Sequence, residues 1–581
     1  MKYHPSGAPS SFVGAVVVSV VCVVLSAAPT LTQPLKTSQE NGARADRTDV
    51  VVFGATPAGV TAAVAAARAG QRVRLLEPGI KVGGMVSGGL SNTDTGPRGP
   101  EVISGLAGEF FSRVRKIEQA RGVCIKNCES SYFFEPHVAE QVFEDMIREA
   151  GVALERSVQL LKVEKQGATI TRLITSRGDV RASVFIDASY EGDLMALAGV
   201  QYQIGREPRR MTAANDPVAL ALHEDHAGVQ GFLLPLGIHV DPYRMPGNAA
   251  SGTIAFIEPR PERMPETGDG DSRVMAYTYR LCVTDDPANR IPFSRPENYT
   301  ASDFEVHARL AAAAAPKVDI VRSMFNPSPV VLSRDPRYFK YDLNSTLNLS
   351  TDLNADDLNQ AYVEAPQARR EQIQRTYRRF IQGLLYAWQT DRRFGALNER
   401  VSRFGYCADE FKDDGGWPHQ FYVRVGRRMI GEYVMNENDV MRNGRREPIR
   451  DAIALGTYAL AAHAHRYLAA PVEWPDGVRR DAVVLEGTVI GPRLPDDEPY
   501  PISYRAITPR ETDAQNLLNP VTLSATNIAY SSIRMEPTFM MLGEAAGTAA
   551  ALSVASNVSV QALDYTSLRQ RLTGNGLRLA R

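Results

Sequence analysis

The residues with the clearest chemical meaning lie near the start of the chain. Gly54-Ala55-Thr56-Pro57-Ala58-Gly59 is a glycine-bounded turn, and Glu77 follows it at roughly the 20-residue interval of a dinucleotide fingerprint. Such a turn opens a helix, whose first backbone N–H groups and positive dipole end attract a pyrophosphate. A carboxylate at that interval accepts hydrogen bonds from the ribose of the nucleotide. Gly54, Thr56, Pro57, Ala58, Gly59 and Glu77 are therefore expected to hold a dinucleotide. Thr56 stands where the pattern has its middle glycine, and its hydroxyl could add a phosphate contact. Directly after the acid come Pro78 and then Gly83-Gly84-Met85, where the chain can pass close to a bulky ligand without side-chain clashes. This second glycine pair favours FAD over the smaller NAD.

These residues need a strand–turn–helix–strand unit to position them. Val50-Val51-Val52-Phe53 is a continuous apolar run suited to a central parallel strand buried on both faces. An alanine-rich helix follows from Val60 to Arg68 and stops at Gly70, and a second strand from Arg72 to Leu76 ends at Glu77. Further on, a helix to Ala150, a β-rich stretch from Val152 to Ile174 and the strand Val184-Phe185-Ile186-Asp187 continue an α/β, Rossmann-like pattern.

The chain has 581 residues, enough for two or three well-buried cores, and its 44% hydrophobic and 23% charged residues are those of a globular protein. With 65 Lys+Arg against 66 Asp+Glu, no global field would draw it to nucleic acid or to an anionic membrane. Arg424, Arg427 and Arg428 cluster locally, a pattern read first as a solvated face.

Lys2 and His4 precede an apolar run from Phe12 to Leu25 and then Ser26-Ala27-Ala28, the order of a secretory signal, and the run falls short of the roughly 20 residues of a membrane span. The expected location is secreted or periplasmic, with no stable membrane span after cleavage. Cys22 leaves with the signal. Of the remaining cysteines, Cys124 and Cys128 are expected to form a local disulfide, and no set of ligands at metal or iron–sulfur spacing is present. Asn298, Asn344, Asn348 and Asn557 begin Asn-x-Ser/Thr sequons, which decide nothing by themselves.

Several segments converge on one family. Phe134-Glu135-Pro136, the run Ala188-Ser189-Tyr190-Glu191-Gly192-Asp193-Leu194 after the strand to Asp187, and Ala276 to Cys282 resemble the bacterial FAD-dependent oxidoreductase family. So do Phe421 to Gly431, Ile502 to Ala506, and the C-terminal Leu542-Gly543-Glu544-Ala545-Ala546-Gly547-Thr548. Some members of that family carry a xanthan lyase label. The resemblance implies an FAD-binding domain of glutathione-reductase type with an inserted α+β substrate domain. It also implies flavin-side contacts by Ala188, Ser189, Gly192 and Asp193, and by Gly543, Ala546, Gly547 and Thr548. The small residues of the last group also suit close helix packing.

The expected layout is a signal peptide at 1–28, a linker at 29–45, the FAD-binding domain at 46–205 and 499–560, a substrate or cap region at 206–498, and a tail at 561–581. The chain departs from the family at Val425-Gly426, where a polar residue is usual. It departs again at Asn527, where Leu523-Ser524-Ala525-Thr526-Asn527 usually ends in histidine. Asn527 can hydrogen-bond flavin or substrate but cannot act as a base.

No second glycine fingerprint appears between 206 and 498, which argues against a built-in nicotinamide site. The expected reaction is oxidation of a small hydroxylated or carboxylated substrate by hydride transfer to flavin N5, with oxygen, a quinone or a carrier protein as the electron acceptor. His419 is a candidate base, although a lone histidine near aromatic residues is more often structural. Asp409 and Glu410 read as a solvated turn or as salt-bridge partners. Arg427 and Arg534 could hold a substrate carboxylate or stabilise reduced flavin. Tyr422, Trp417 and Trp388 could stack on a ligand, though such residues are usually core. The competing reading is a non-redox carbohydrate-binding or polysaccharide-lyase-like protein with structural or absent flavin.

Overall fold

The computed structural model describes residues 48–580 apart from 124–131, 210–223, 315–317, 347–348 and 445. The expected leader and linker, the Cys124–Cys128 pair and the Asn348 sequon therefore lie outside the described residues.

Strand β1 (Val50–Phe53) is buried along its whole length, as a doubly covered strand must be. It pairs in parallel with β2 (Val73–Glu77) on one side and with β7 (Val184–Asp187) on the other. β3 (Ala153–Arg156) extends the sheet beyond β2, and β13 (Leu517–Leu518) closes it beyond β7, giving the order β13-β7-β1-β2-β3. Residues from the two ends of the chain thus build one Rossmann-like sheet. Between β3 and β7 the chain forms a separate antiparallel sheet of β4 (Leu160–Gln166), β5 (Thr169–Thr175) and β6 (Gly178–Val180).

Helix α1 (Pro57–Arg68) follows β1, and α2 (Gly105–Arg121) and α3 (Pro136–Glu149) belong to the same half. The main partner of α1 is α7 (Glu536–Ser556), buried from Glu536 to Ala551. A Cβ at Gly543 or Gly547 would lie 2.1 or 2.0 Å from the carbonyl oxygens of Ala58 or Ala62. Small residues four apart on both helices therefore let the backbones meet, and Thr61 Oγ1 donates to the Met540 carbonyl at 2.8 Å. Among the described residues α7 is the one helix long and apolar enough to cross a membrane, and its burial makes it a core helix.

The inserted region contains an antiparallel sheet in the order β9-β12-β8-β11-β10. Its strands are β8 (Leu281–Thr284), β9 (Arg290–Pro292), β10 (Ser328–Leu332), β11 (Phe339–Leu343) and β12 (Gly405–Cys407). Helix α5 (Gln367–Thr390) begins immediately after Pro366. A disulfide joins Cys282 of β8 to Cys407 of β12, with Cα atoms 5.6 Å apart and a sequence separation of 125. The register places Val283 opposite Tyr406, so the two cysteines face each other across neighbouring strands. Residues 561–581, expected as a tail, instead supply α8 (Tyr565–Gly574), docked through buried Leu568, Leu572 and Leu577. From Thr48 onward the described chain is one compact unit, so the inserted region is a division of topology rather than a separate body.

Candidate functional site

The sequence forces a tight turn at the end of β1. Gly54 has φ +91°, and a Cβ there would lie 2.8 Å from the Ser189 nitrogen at the end of β7. A Cβ at Gly59 would lie 1.9 Å from the Gly54 carbonyl oxygen, so the helix can start this close to the strand only with glycine at both places. Thr56 is the N-cap of α1. Its hydroxyl accepts from Gly59 N (3.2 Å) and donates to the Ala188 carbonyl (2.7 Å). The expected phosphate contact of that hydroxyl is thus replaced by a capping role, because two protein partners already use it.

A cleft of about 520 Å³ opens over this turn, lined by Gly54, Thr56, Glu77, Pro78, Gly84, Ser189 and Asp193 among others. Pro57, Ala58, Gly59, Gly83, Met85, Ala188 and Gly192 are buried and do not line it. Gly83, with φ +92°, donates to the Ala55 carbonyl at 2.7 Å and so ties the second glycine pair to the first turn. Met85 N donates to Tyr190 Oη (3.0 Å), which in turn donates to Glu536 Oε1 (2.7 Å) at the start of α7.

Glu77 accepts from Ala55 N and Gly79 N, both at 2.6 Å. Burial raises its pKa to about 7, although these two N–H groups oppose the rise. Asp187, at the equivalent end of β7, is buried and accepts from Ser189 N (3.1 Å), Ser189 Oγ (2.6 Å) and Met195 N (2.8 Å), with burial raising its pKa to about 6. It shapes the turn into α4 (Asp193–Leu197). Asp193 faces two guanidinium groups, Arg370 at 2.5 Å and Arg427 at 2.8 Å. Burial disfavours its charge, but the two arginines more than offset this and hold its pKa below the ordinary value. Arg427 Nε is buried without a hydrogen-bond partner.

These features fit a flavin dinucleotide. The positions where a Cβ would collide keep backbone close to the cleft, Glu77 presents a partly satisfied carboxylate, and Arg427 retains an unused donor. Gly54, the backbone of Thr56 and Glu77 would hold the nucleotide half.

A second chamber of about 410 Å³ lies beyond the segment Gln420-Phe421-Tyr422. Gln420 and Phe421 line the dinucleotide cleft, whereas Tyr422 lines the chamber with Arg280, Tyr458, His463 and Arg534. Sequence reasoning missed Arg280, Tyr458 and His463. The pair of histidines in Ala462-His463-Ala464-His465 was the available signal, but nothing local distinguishes a chamber-facing histidine from a core one.

The four residues proposed for catalysis separate. His419 is exposed at the mouth of the cleft. Partial desolvation first and the Lys81 ammonium next lower its pKa. Arg427 lines the same cleft, and Arg534 lines the chamber. Asn527 lines neither. It is buried at the start of α6 (Asn527–Ile533), its N–H donating to Glu207 Oε2 (2.8 Å) and its Oδ1 facing Arg428 (3.4 Å), which corrects the expectation of a ligand contact. Gly543, Ala546, Gly547 and Thr548 likewise leave the cleft untouched. The α1 backbone occupies the space in front of both glycines, so this stripe packs helices.

Other readings change as well. Arg424, Arg427 and Arg428 are buried, not solvated, and meet Asp352 (2.8 Å), Asp193 (2.8 Å) and Glu207 (2.6 Å). Buried guanidinium groups require such partners. Glu410 is fully buried and ion-paired to Lys340, which also meets Glu135 at 2.7 Å and Asp409 at 3.1 Å. The nearby Glu135, His137 and Glu410 resemble a metal ligand set, but the Lys340 ammonium already supplies the cation. Trp388 and Trp417 are core residues.

No curated protein matches the chain. Among solved structures, L-proline dehydrogenase from P. horikoshii shares 15% identity over 28% of this chain and 59% of its own, with a TM-score of 0.22. The L-amino acid deaminase from Proteus vulgaris shares 15% over 28% of this chain and 53% of its own, with a TM-score of 0.21. Thioredoxin reductase from T. acidophilum shares 19% over 24% and 35%, with a TM-score of 0.16. The chain therefore spans 59% or less of the length of these three. The family model for FAD dependent oxidoreductases matches residues 49–572, nearly the whole described chain. The protein belongs to the FAD dependent oxidoreductase family.

Proposed function

We propose that the enzyme oxidises a small hydroxylated or carboxylated compound of about the size of a sugar derivative, outside the cytoplasm. The observation that carries this reading is the pair of spaces on the two faces of Gln420-Phe421-Tyr422. One is built for a dinucleotide, and the other is polar and large enough for a small molecule.

Bound FAD supplies a two-electron acceptor that takes a hydride at N5. The chain's own residues do the rest. Glu77 and the Gly54–Gly59 turn fix the nucleotide end, while Arg534 and Tyr422 offer hydrogen bonds in the chamber. His463 is buried and neutral there, because burial first and Arg424 next lower its pKa to about 4. It can present a proton acceptor to the chamber without carrying charge. The disulfide between Cys282 and Cys407 supports an oxidising compartment, as expected for an exported protein. Oxygen, a quinone or a carrier protein would then receive the electrons.

The test is the absorbance spectrum of the purified protein, followed by anaerobic mixing with hydroxylated and carboxylated compounds. Flavin absorbance that bleaches with one compound class supports the reading. A colourless protein that takes up no FAD would promote the non-redox alternative.

A further inference from the structure

The second chamber contains a buried guanidinium that forms no ion pair, although Asp94 and Asp497 also line the space. Arg534 is only 7% exposed, yet among the described residues no carboxylate lies within ion-pair distance. Its NH1 donates to Tyr422 Oη (2.8 Å) and its NH2 to the Ala461 carbonyl (3.0 Å), while Nε is buried without a partner. Neighbouring arginines differ. Arg280 is paired with Asp342 through two hydrogen bonds at 2.9 and 2.8 Å, and Arg424 meets Asp352 at 2.8 Å. Burying a cation without a counter-ion is costly, and an anion entering the chamber would relieve that cost. Tyr422, having accepted from Arg534, still has its own proton to donate to the same anion.

A second group in the chamber points to the rest of the ligand. His463 Nδ1 lies 2.6 Å from Asp352 Oδ2, so the neutral ring donates there and keeps Nε2 as an acceptor. Nε2 makes no hydrogen bond to any described residue, and the ring lines the chamber. A hydroxyl group suits this acceptor.

We propose that the chamber binds a small hydroxy-carboxylate, with its anion on Arg534 and Tyr422 and a hydroxyl donated to His463. The chamber volume of about 410 Å³ suits a sugar acid or a smaller hydroxy acid. The proposal deepens the redox reading and rests on it for the fate of the ligand, but not for binding itself.

The test is calorimetric titration of the FAD-reconstituted protein, without an electron acceptor, using D-glucuronate, D-gluconate, tartrate and lactate against D-glucose and glycerol. At least one acid is expected to bind at least about 10-fold more tightly than the uncharged compounds. Arg534→Gln should weaken that binding by about 10- to 100-fold and leave the uncharged compounds unaffected, the range of a lost charge-assisted hydrogen bond. Arg534→Lys should restore part of it. Tyr422→Phe, which removes no charge, should weaken acid binding by several-fold and guards against a folding defect in the arginine variant.

The proposal is overturned if no acid binds more tightly than the uncharged compounds. It is also overturned if Arg534→Gln shifts the flavin reduction potential while acid binding stays unchanged, which would assign Arg534 to the flavin. A protein that takes up no FAD refutes the redox reading instead, and the same titration on that protein still decides the anion site.

Discussion

Substituting Gly547 by alanine tests whether the glycine stripe of α7 packs helices or faces a ligand. The added Cβ would lie 2.0 Å from the Ala62 carbonyl oxygen and 2.8 Å from its carbon. Carbon atoms pack comfortably only near about 3.5 Å, so α7 must retreat from α1 by more than about 1 Å. Overpacking of this kind costs about 1–3 kcal/mol, and the looser fit that the retreat leaves along Ala58, Ala62 and Ala66 brings the total to roughly 3–5 kcal/mol. The assay is thermal unfolding of the FAD-free protein, where ligand binding cannot contribute. The midpoint should fall by roughly 3–4 °C, the shift being small because the unfolding entropy of so long a chain is large. Gly574→Ala is the control, since a Cβ there meets nothing within 4 Å, and it should be neutral or stabilising. If FAD-free Gly547→Ala melts with the parent protein while its FAD affinity collapses, the packing argument is wrong.

Three further outcomes follow from the geometry. Burial raises the Glu77 pKa to about 7, above its ordinary value of 4.5, so its contribution to FAD-free stability is full below pH 4.5 and is lost as pH rises through 7. Glu77→Gln should remove that decline, at most about 3 kcal/mol, and weaken FAD binding by about ten-fold or more; parallel melting curves of variant and parent from below pH 4.5 to above pH 7 would refute this. Replacing Cys282 and Cys407 together by alanine should destabilise the inserted region by up to about 4–5 kcal/mol, the loop-closure value for a bridge spanning 125 residues, as read by chemical unfolding. Asn527→Ala should lower stability by about 1–2 kcal/mol without altering the flavin spectrum, whereas a shifted spectrum at unchanged stability would place this residue against the ring.

The dinucleotide turn was legible because its requirements are local. Gly54 and Gly59 are demanded by atoms a few residues away or at one strand end, and Glu77 by the length of one βαβ unit. Strand β13 was not legible, since two residues of leucine carry no periodicity and its place beside β7 is decided by the whole sheet. The chamber was only half legible. Arg534 and Tyr422 stand in recognisable segments, but Arg280, Asp352 and His463 come from three distant stretches and acquire meaning only when β8 and its neighbours bring them together. Sequence put the arginine cluster 424–428 in solvent because its carboxylate partners, Asp352, Asp193 and Glu207, lie far away in the chain. The cysteine count allowed a bridge without saying which pair would form it.

The bond from Thr61 to the Met540 carbonyl joins residues 479 apart. A ribosome adding roughly 5–20 residues per second needs about half a minute or longer to cover that interval. Throughout that time the alanine face of α1 is made but its mate is not. The nascent nucleotide half is therefore an unfinished body, with the small-residue face of α1 still uncovered. Loss of α7 would then be felt at the opposite end of the chain, where the first helix would lack the partner that packs along it.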